Sequence, residues 1–287
     1  MKGVLIVAGY ALEESLRRKV FLIVLLLTAA FLGLYGLGAE KAFDEVETFD
    51  PGNPVLATVD ERTLAGATLL GLAMFGTLFL GAVLAVFLTL SVVRGDAERG
   101  LLQPLVVRPL GRNSLLAGRF VAAAGVCGIY VAAVFAGAAG ITYWAGGWWP
   151  DRFALPAAEL AVAVILIAAL SLLGSVFLSA IANGIAVFMV FGAGLVAGLL
   201  GQIGEAINSQ TLLDVADRAS WALPFEALYQ DALSAISSKS FGLTAQALQL
   251  GPFGGAQAGG AHLWPWTVAY LAIAAVAAGV FFARKDL

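Results

Sequence analysis

The chain has 287 residues, 61% of them hydrophobic and 12% charged, with a formal net charge of −3 and a mean hydropathy of +0.93. Soluble domains carry about a quarter charged residues; too few polar side chains exist here to coat a soluble core, so the class is an integral membrane protein. A single cysteine excludes a disulfide framework and a multi-cysteine metal site, and a pI near 5.2 argues against a nucleic-acid partner.

After Met1-Lys2 the chain runs GVLIVAGYAL into charged EESLRRK. That apolar run is short and lacks a small-residue cleavage pattern, so it reads as retained. Leu5, Ala8, Leu12 and Leu16 recur at helical spacing, with Glu13, Arg17 and Arg18 elsewhere around the wheel. Residues 1–19 are therefore expected to form an amphipathic helix along the membrane surface.

Six stretches then reach the roughly 20 apolar residues that a crossing requires. They lie near 20–38, 66–93, 118–146, 160–180, 184–203 and 264–283. The second and third exceed a bilayer's need and are expected to tilt or project. The fourth and fifth are separated only by Ile181-Ala182-Asn183-Gly184, a tight helical hairpin. The whole chain forms one all-α polytopic transmembrane domain.

Between the second and third spans lies the loop 94–117, within the charged stretch RGDAERGLLQPLVVRPLGRNSLLAGR of residues 94–119. Leu101, Leu102, Leu105 and Val106 fall on one side of a short helix, with Pro104 tolerated in its first turn. Arg108-Pro109-Leu110-Gly111 suits a type I turn, and Asn113 or Ser114 can cap the helix that follows. The arginines taken singly satisfy the positive-inside rule and anionic lipid. The ordered combination of acid, glycine, leucine face and proline turn is not explained by charge alone.

The fifth span carries Gly194 and Gly198, a G-x-x-x-G pair that lets helices approach closely. It suits a dimer contact, a moving gate or packing inside one subunit. In the second span, Gly66, Gly71, Gly76 and Gly81 recur every five residues and share no face. After the fifth span, 208–240 reads as one or two short amphipathic helices broken at Pro224, and GPFGGAQAGGA at 251–261 reads as a flexible lead into the sixth span.

Charge sets the expected orientation. With the N-terminus cytoplasmic, the inner segments 1–19, 94–119, 181–184 and 284–287 hold eleven of the sixteen Lys and Arg residues but five of the nineteen acids. That bias places both termini inside and leaves the outer loops 39–65, 147–159 and 204–263 acidic. Trp148, Trp149, Trp264 and Trp266 fall at outer span ends, where indole rings favour the headgroup layer.

Within the six spans no Asp, Glu, Lys, Arg or His stands at mid-depth; Arg119 and Glu159 sit at the edges. A proton- or sodium-driven carrier normally shows such a group near the midplane. With one histidine, His262, no H-E-x-x-H site exists, and no lysine follows a glycine, so there is no phosphate loop. Three methionines, one cysteine and one histidine offer no soft-metal site. Any free energy for work must come from a partner.

Glu98-Arg99-Gly100, the apolar run, Arg108-Pro109-Leu110-Gly111-Arg112 and Leu115-Leu116-Ala117-Gly118-Arg119 together resemble the first cytoplasmic loop of ABC-2-type transporter permeases. The N-terminal Ser15-Leu16-Arg17-Arg18-Lys19 and the terminal Phe281-Phe282-Ala283-Arg284-Lys285-Asp286-Leu287 are similar to the same family. Trp221-Ala222-Leu223-Pro224 ahead of Tyr229 resembles the subgroup associated with multicopper-enzyme and nitrous oxide reductase maturation. Leu101 replaces the family's threonine, and Pro104 replaces a leucine.

The resemblance implies a type V (ABC-2-like) exporter fold in a bacterial-type cytoplasmic membrane. It implies a homodimer in which each copy receives a separate ATP-binding subunit that carries ATP and magnesium, leaving this chain without a cofactor. It makes Glu98, Gly100, Leu101, Leu102, Leu105, Pro109 and Arg112, with Arg17 and Arg18, the docking surface. The other partners expected are membrane lipid and an extracytoplasmic accessory protein. Two alternatives stand beside the exporter: a scaffold that transmits an ATPase cycle to an outer partner, and an ion-coupled carrier, which the bare midplane disfavours.

Overall fold

The computed structural model describes residues 19–48, 60–90, 112–236 and 258–284, together with positions 7, 9, 10, 13 and 238. Among the described residues there are eight helices: α1 (Lys19–Thr48), α2 (Glu61–Thr89), α3 (Arg112–Gly146), α4 (Ala154–Phe177), α5 (Ala180–Ala206), α6 (Gln210–Ala222), α7 (Pro224–Ile236) and α8 (Leu263–Ala283). Six of them, α1 to α5 and α8, are long and apolar enough to cross a membrane. A lipid core offers no partner for free backbone groups, so an all-helical chain is the expected solution. Positions 7, 9, 10 and 13 are also helical, with Val7 buried and Tyr10 exposed.

The six long helices run alternately between a near end, where Lys19, Leu90, Arg112, Leu178 and Arg284 lie, and a far end, where Thr48, Glu61, Gly146, Ala154 and Ala206 lie. The helix α4 is the hub, touching α2, α3, α5, α7 and α8. Its Leu160, Ala163, Val164, Leu166 and Ala168 are fully buried. By contrast α1 buries a single stripe, Val24, Thr28, Tyr35, Ala39 and Phe43, while Leu22, Leu25, Leu26, Leu34 and Leu37 face outward.

Hydroxyl pairs fasten that stripe to α3. Thr28 donates to the Val24 carbonyl at 2.8 Å, which leaves its Oγ1 as acceptor for the Tyr130 hydroxyl at 2.5 Å. Two turns on, Thr142 donates to the Ala138 carbonyl at 2.9 Å and lies 2.5 Å from the Tyr35 hydroxyl. Hydroxyls whose own protons return to the helix backbone accept bonds across a helix interface.

Several boundaries differ from the sequence reading, each for a local reason. The first helix continues through exposed Glu40, Lys41, Asp44 and Glu45 to Thr48, because buried Tyr35, Ala39 and Phe43 prolong its packing face. Helix α2 starts at Glu61, where the Asp60 carboxylate accepts from the Thr63 amide at 3.0 Å and its hydroxyl at 2.6 Å. Helix α3 is already formed at Arg112, ahead of the caps expected at Asn113 or Ser114.

The hairpin between the fourth and fifth spans breaks at Leu178-Ser179, not at 181–184, which lies inside α5. Three of the four glycines of α2 meet different partners, as their spacing requires. Gly66 receives the Trp148 ring, Gly76 the Phe31 ring and Gly81 the Val164 and Val131 side chains. Trp148 is therefore packed in the core, 9% exposed. Gly147, with φ 65°, makes this possible by ending α3 in a left-handed turn, its amide on the Tyr143 carbonyl at 2.7 Å.

Candidate functional sites at the two ends of the bundle

Among the residues singled out from the sequence, Glu98, Gly100, Leu101, Leu102, Leu105, Pro109, Arg17 and Arg18 lie outside the described residues, and of Arg112 only the backbone, opening α3, is described. What the structure describes is the frame from which the 91–111 segment hangs. Its two anchors are the end of α2 at Thr89-Leu90 and the start of α3.

A polar junction holds the first anchor. Thr89 Oγ1 lies 2.6 Å from Ser171 Oγ on α4 and 2.8 Å from the Ala85 carbonyl of its own helix. Asn183, in the first turn of α5, donates to the Ser171 carbonyl at 2.8 Å. All three side chains are buried, so three helices share one hydrogen-bonded node in an apolar setting, where leaving such groups unmade is costly. The sequence places Asn183 in the hairpin break 181–184. Its side chain instead reaches back against Gly174, where a β-carbon would collide with Asn183 Oδ1.

At the far end, α6 and α7 form a helical hairpin packed on α5. Asn208, with φ 53°, reverses the chain after α5, and α6 runs back along it with Gly204 against Leu212 and Leu213 and Gly201 against Ala216. Leu223 leaves helical geometry at φ −130° and ψ 69°, and Pro224 opens α7. That break was anticipated at Pro224; the depth was not. The Phe225 ring sits over Gly194, near the middle of α5, and stacks on Phe191 with centroids 5.9 Å apart. From there α7 climbs through buried Leu228, Tyr229, Ala232, Leu233 and Ile236, and the Ile236 carbonyl accepts from the Asp151 amide at 3.1 Å.

Gly194 and Gly198 thus face α7 of the same chain, Gly198 against the Glu226–Gln230 pair. Gly201 completes the i, i+4, i+7 stripe on which the hairpin rests. That stripe, together with an amphipathic 208–240, was the available signal for the insertion.

The hairpin carries an acid into the bundle, beside the Glu159 that α4 already buries. Glu226 is 4% exposed. Its Oε1 accepts from Gln230 Nε2 at 2.8 Å, while its Oε2 has no hydrogen-bond partner. Burial pushes its carboxyl up to about 7 from an ordinary 4.5, against the opposing pull of the Gln230 bond. Glu159, in the second turn of α4, is fully buried, with Asp231 and Trp264 beside its carboxyl.

Between α5, α6, α7 and the entry to α8 lies a cleft of about 250 Å³. Glu226 and Gln230 line it, as do Asp217, Trp221, His262 and Trp266. Trp266 Nε1 donates to the Trp221 carbonyl at 2.9 Å, and their rings lie 5.4 Å apart. The Gly259 amide donates to Asp231 Oδ1 at 2.9 Å, which ties the approach to α8 onto α7. Among the described residues, no three His, Cys, Asp or Glu side chains are grouped to hold a metal ion.

Comparison with protein families matches residues 5–287 to the family described as ABC-2 family transporter protein. No curated protein matches the chain.

Proposed function

The chain belongs to the ABC-2 transporter family, whose permeases are transmembrane components and not catalytic subunits, and from that premise we propose that it is an exporter permease working as a homodimer. A separate ATP-binding subunit, holding ATP and magnesium, docks on each copy. The docking surface is Glu98, Gly100, Leu101, Leu102, Leu105, Pro109 and Arg112 with Arg17 and Arg18. The membrane is a bacterial-type cytoplasmic membrane, with the near end inside, and within the family the Trp221–Pro224 segment allies the chain with permeases of multicopper-enzyme maturation.

The family membership carries this reading, and the Thr89–Ser171–Asn183 junction supports its mechanics. A leucine face fits a groove on a partner, and the charged rim sets register and association rate. A load on the 91–111 segment reaches Leu90 first, and the hydrogen bonds of the junction pass it from α2 to α4 and α5. The ATP-binding subunit supplies the free energy, while this chain's own residues transmit the displacement.

The test is mild-detergent co-purification of Leu101→Asp and Leu105→Asp variants. Loss of the ATP-binding subunit with unchanged membrane insertion is expected; undiminished co-purification overturns the docking surface. ATP-dependent efflux in vesicles separates an exporter from a subunit that only acts on an outer partner.

A further inference from the structure

The cleft at the far end has an unusual chemical balance. Glu226 and Gln230 line it, and Glu226 Oε2 and Gln230 Oε1 are buried with no hydrogen-bond partner, both acceptors once Glu226 is ionised. Asp217, a second carboxylate, stands on its α6 side, and no lysine or arginine lines it among the described residues. Two indoles, Trp221 and Trp266, wall it beside a floor of Gly194, Gly198 and Gly201.

Each buried acceptor left unmade carries a desolvation penalty that an incoming donor recovers. An anion is repelled by the carboxylates, and an apolar molecule leaves both acceptors bare. A primary ammonium offers three donors on one positive centre, and indole faces attract cations at short range. The cleft's volume suits a headgroup, with the remainder of a longer molecule outside it.

We propose that this cleft binds the primary ammonium group of an amphipathic amine, with Glu226 Oε2 and Gln230 Oε1 as its acceptors and Trp221 and Trp266 beside its alkyl stem. The site goes beyond the docking and export reading and is independent of it, because binding requires neither ATP nor a partner. The ammonium belongs either to a phospholipid headgroup or to a free amine, and the chemistry of recognition is shared.

The experiment uses the full chain in phosphatidylcholine nanodiscs at pH 8, where Glu226 is ionised and the amine is still an ammonium, titrated with octylamine and read by tryptophan fluorescence against empty discs. Saturable binding is expected for octylamine and none for 1-octanol, while octyltrimethylammonium, which has no N–H donor, binds on the order of tenfold more weakly. Glu226→Gln is expected to weaken octylamine binding about tenfold, and Asp217→Asn at the exposed mouth about two- to threefold. Equal responses to octylamine and octanol in the unaltered protein overturn the proposal, as does unchanged affinity in Glu226→Gln. Repeating the titration in phosphatidylethanolamine discs names the source. Weaker octylamine binding there supports the site with a lipid headgroup as occupant, and unchanged binding supports it with a free amine.

Discussion

Gly198 of α5 lies directly against the carboxyl of Glu226 on α7, so close that a β-carbon on Gly198 would collide with Glu226 Oε1. One turn earlier, a β-carbon on Gly194 would come 2.6 Å from the Phe225 ring. The two glycines form the notch into which a non-spanning helix is set. Close approach of helices across small residues is a general device of membrane interiors.

The two positions are expected to respond differently to the same substitution. Phe225 is fully buried and stacked on Phe191, so its ring has nowhere to move. Gly194→Ala should cost about 1–3 kcal/mol through overpacking. At Gly198 the obstacle is the end of a flexible side chain, and Gly198→Ala should cost less than about 1 kcal/mol. Thermal unfolding of the two variants in the same detergent ranks them.

Glu226 makes stability depend on pH. Its folded-state pKa is raised to about 7 from 4.5, so the folded protein holds the proton more tightly than the unfolded chain does. Stability is full below about pH 4.5, falls as pH rises toward 7 and is level above that, with a total loss of up to about 3 kcal/mol. Asp217 and His262 line the same cleft, and Tyr229 and Asp231 belong to the same helix as Glu226. Glu226→Gln should flatten this part of the profile and raise the melting temperature at pH 8. Parallel scans from pH 4.5 to pH 8 check it.

Under the proposed docking, load from the 91–111 segment enters α5 through Asn183. Asn183→Ala removes its bond to the Ser171 carbonyl and should cost about 1–2 kcal/mol. Assembly with the ATP-binding subunit should be unchanged, while transport per ATP hydrolysed falls. Both rates, measured in the same proteoliposomes, check the expectation; full transport with the bond removed sinks the load path.

The two hydroxyl pairs that tie α1 to α3 are two helical turns apart, and neither shares a partner with the other. Tyr130→Phe and Tyr35→Phe should each cost about 0.6 kcal/mol, the scale measured for hydrogen bonds between membrane helices. The double variant should show the sum, because sites separated by about 10 Å act independently. Unfolding of the three variants in one detergent tests additivity.

The sequence by itself determined the six long helices and the break at Pro224. Length and hydropathy decide these, because a membrane admits only segments that satisfy their own backbone over about 20 residues. The alternation of α1 to α5 and α8 between two ends follows from the same rule. What only the tertiary structure decided is where side chains of mixed character end up. Asn183 has the chemistry of a turn residue and is a buried clamp, because Ser171 on the neighbouring helix offers its carbonyl. Trp148 has the chemistry of an interface residue and is core, because Gly66 leaves room for its ring. The segment 224–236 is polar enough to lie on a surface, yet it is drawn into the bundle with Glu226, because Gly194 and Gly198 open a slot for it. In each case the deciding partner lies on another helix, where no local pattern reaches.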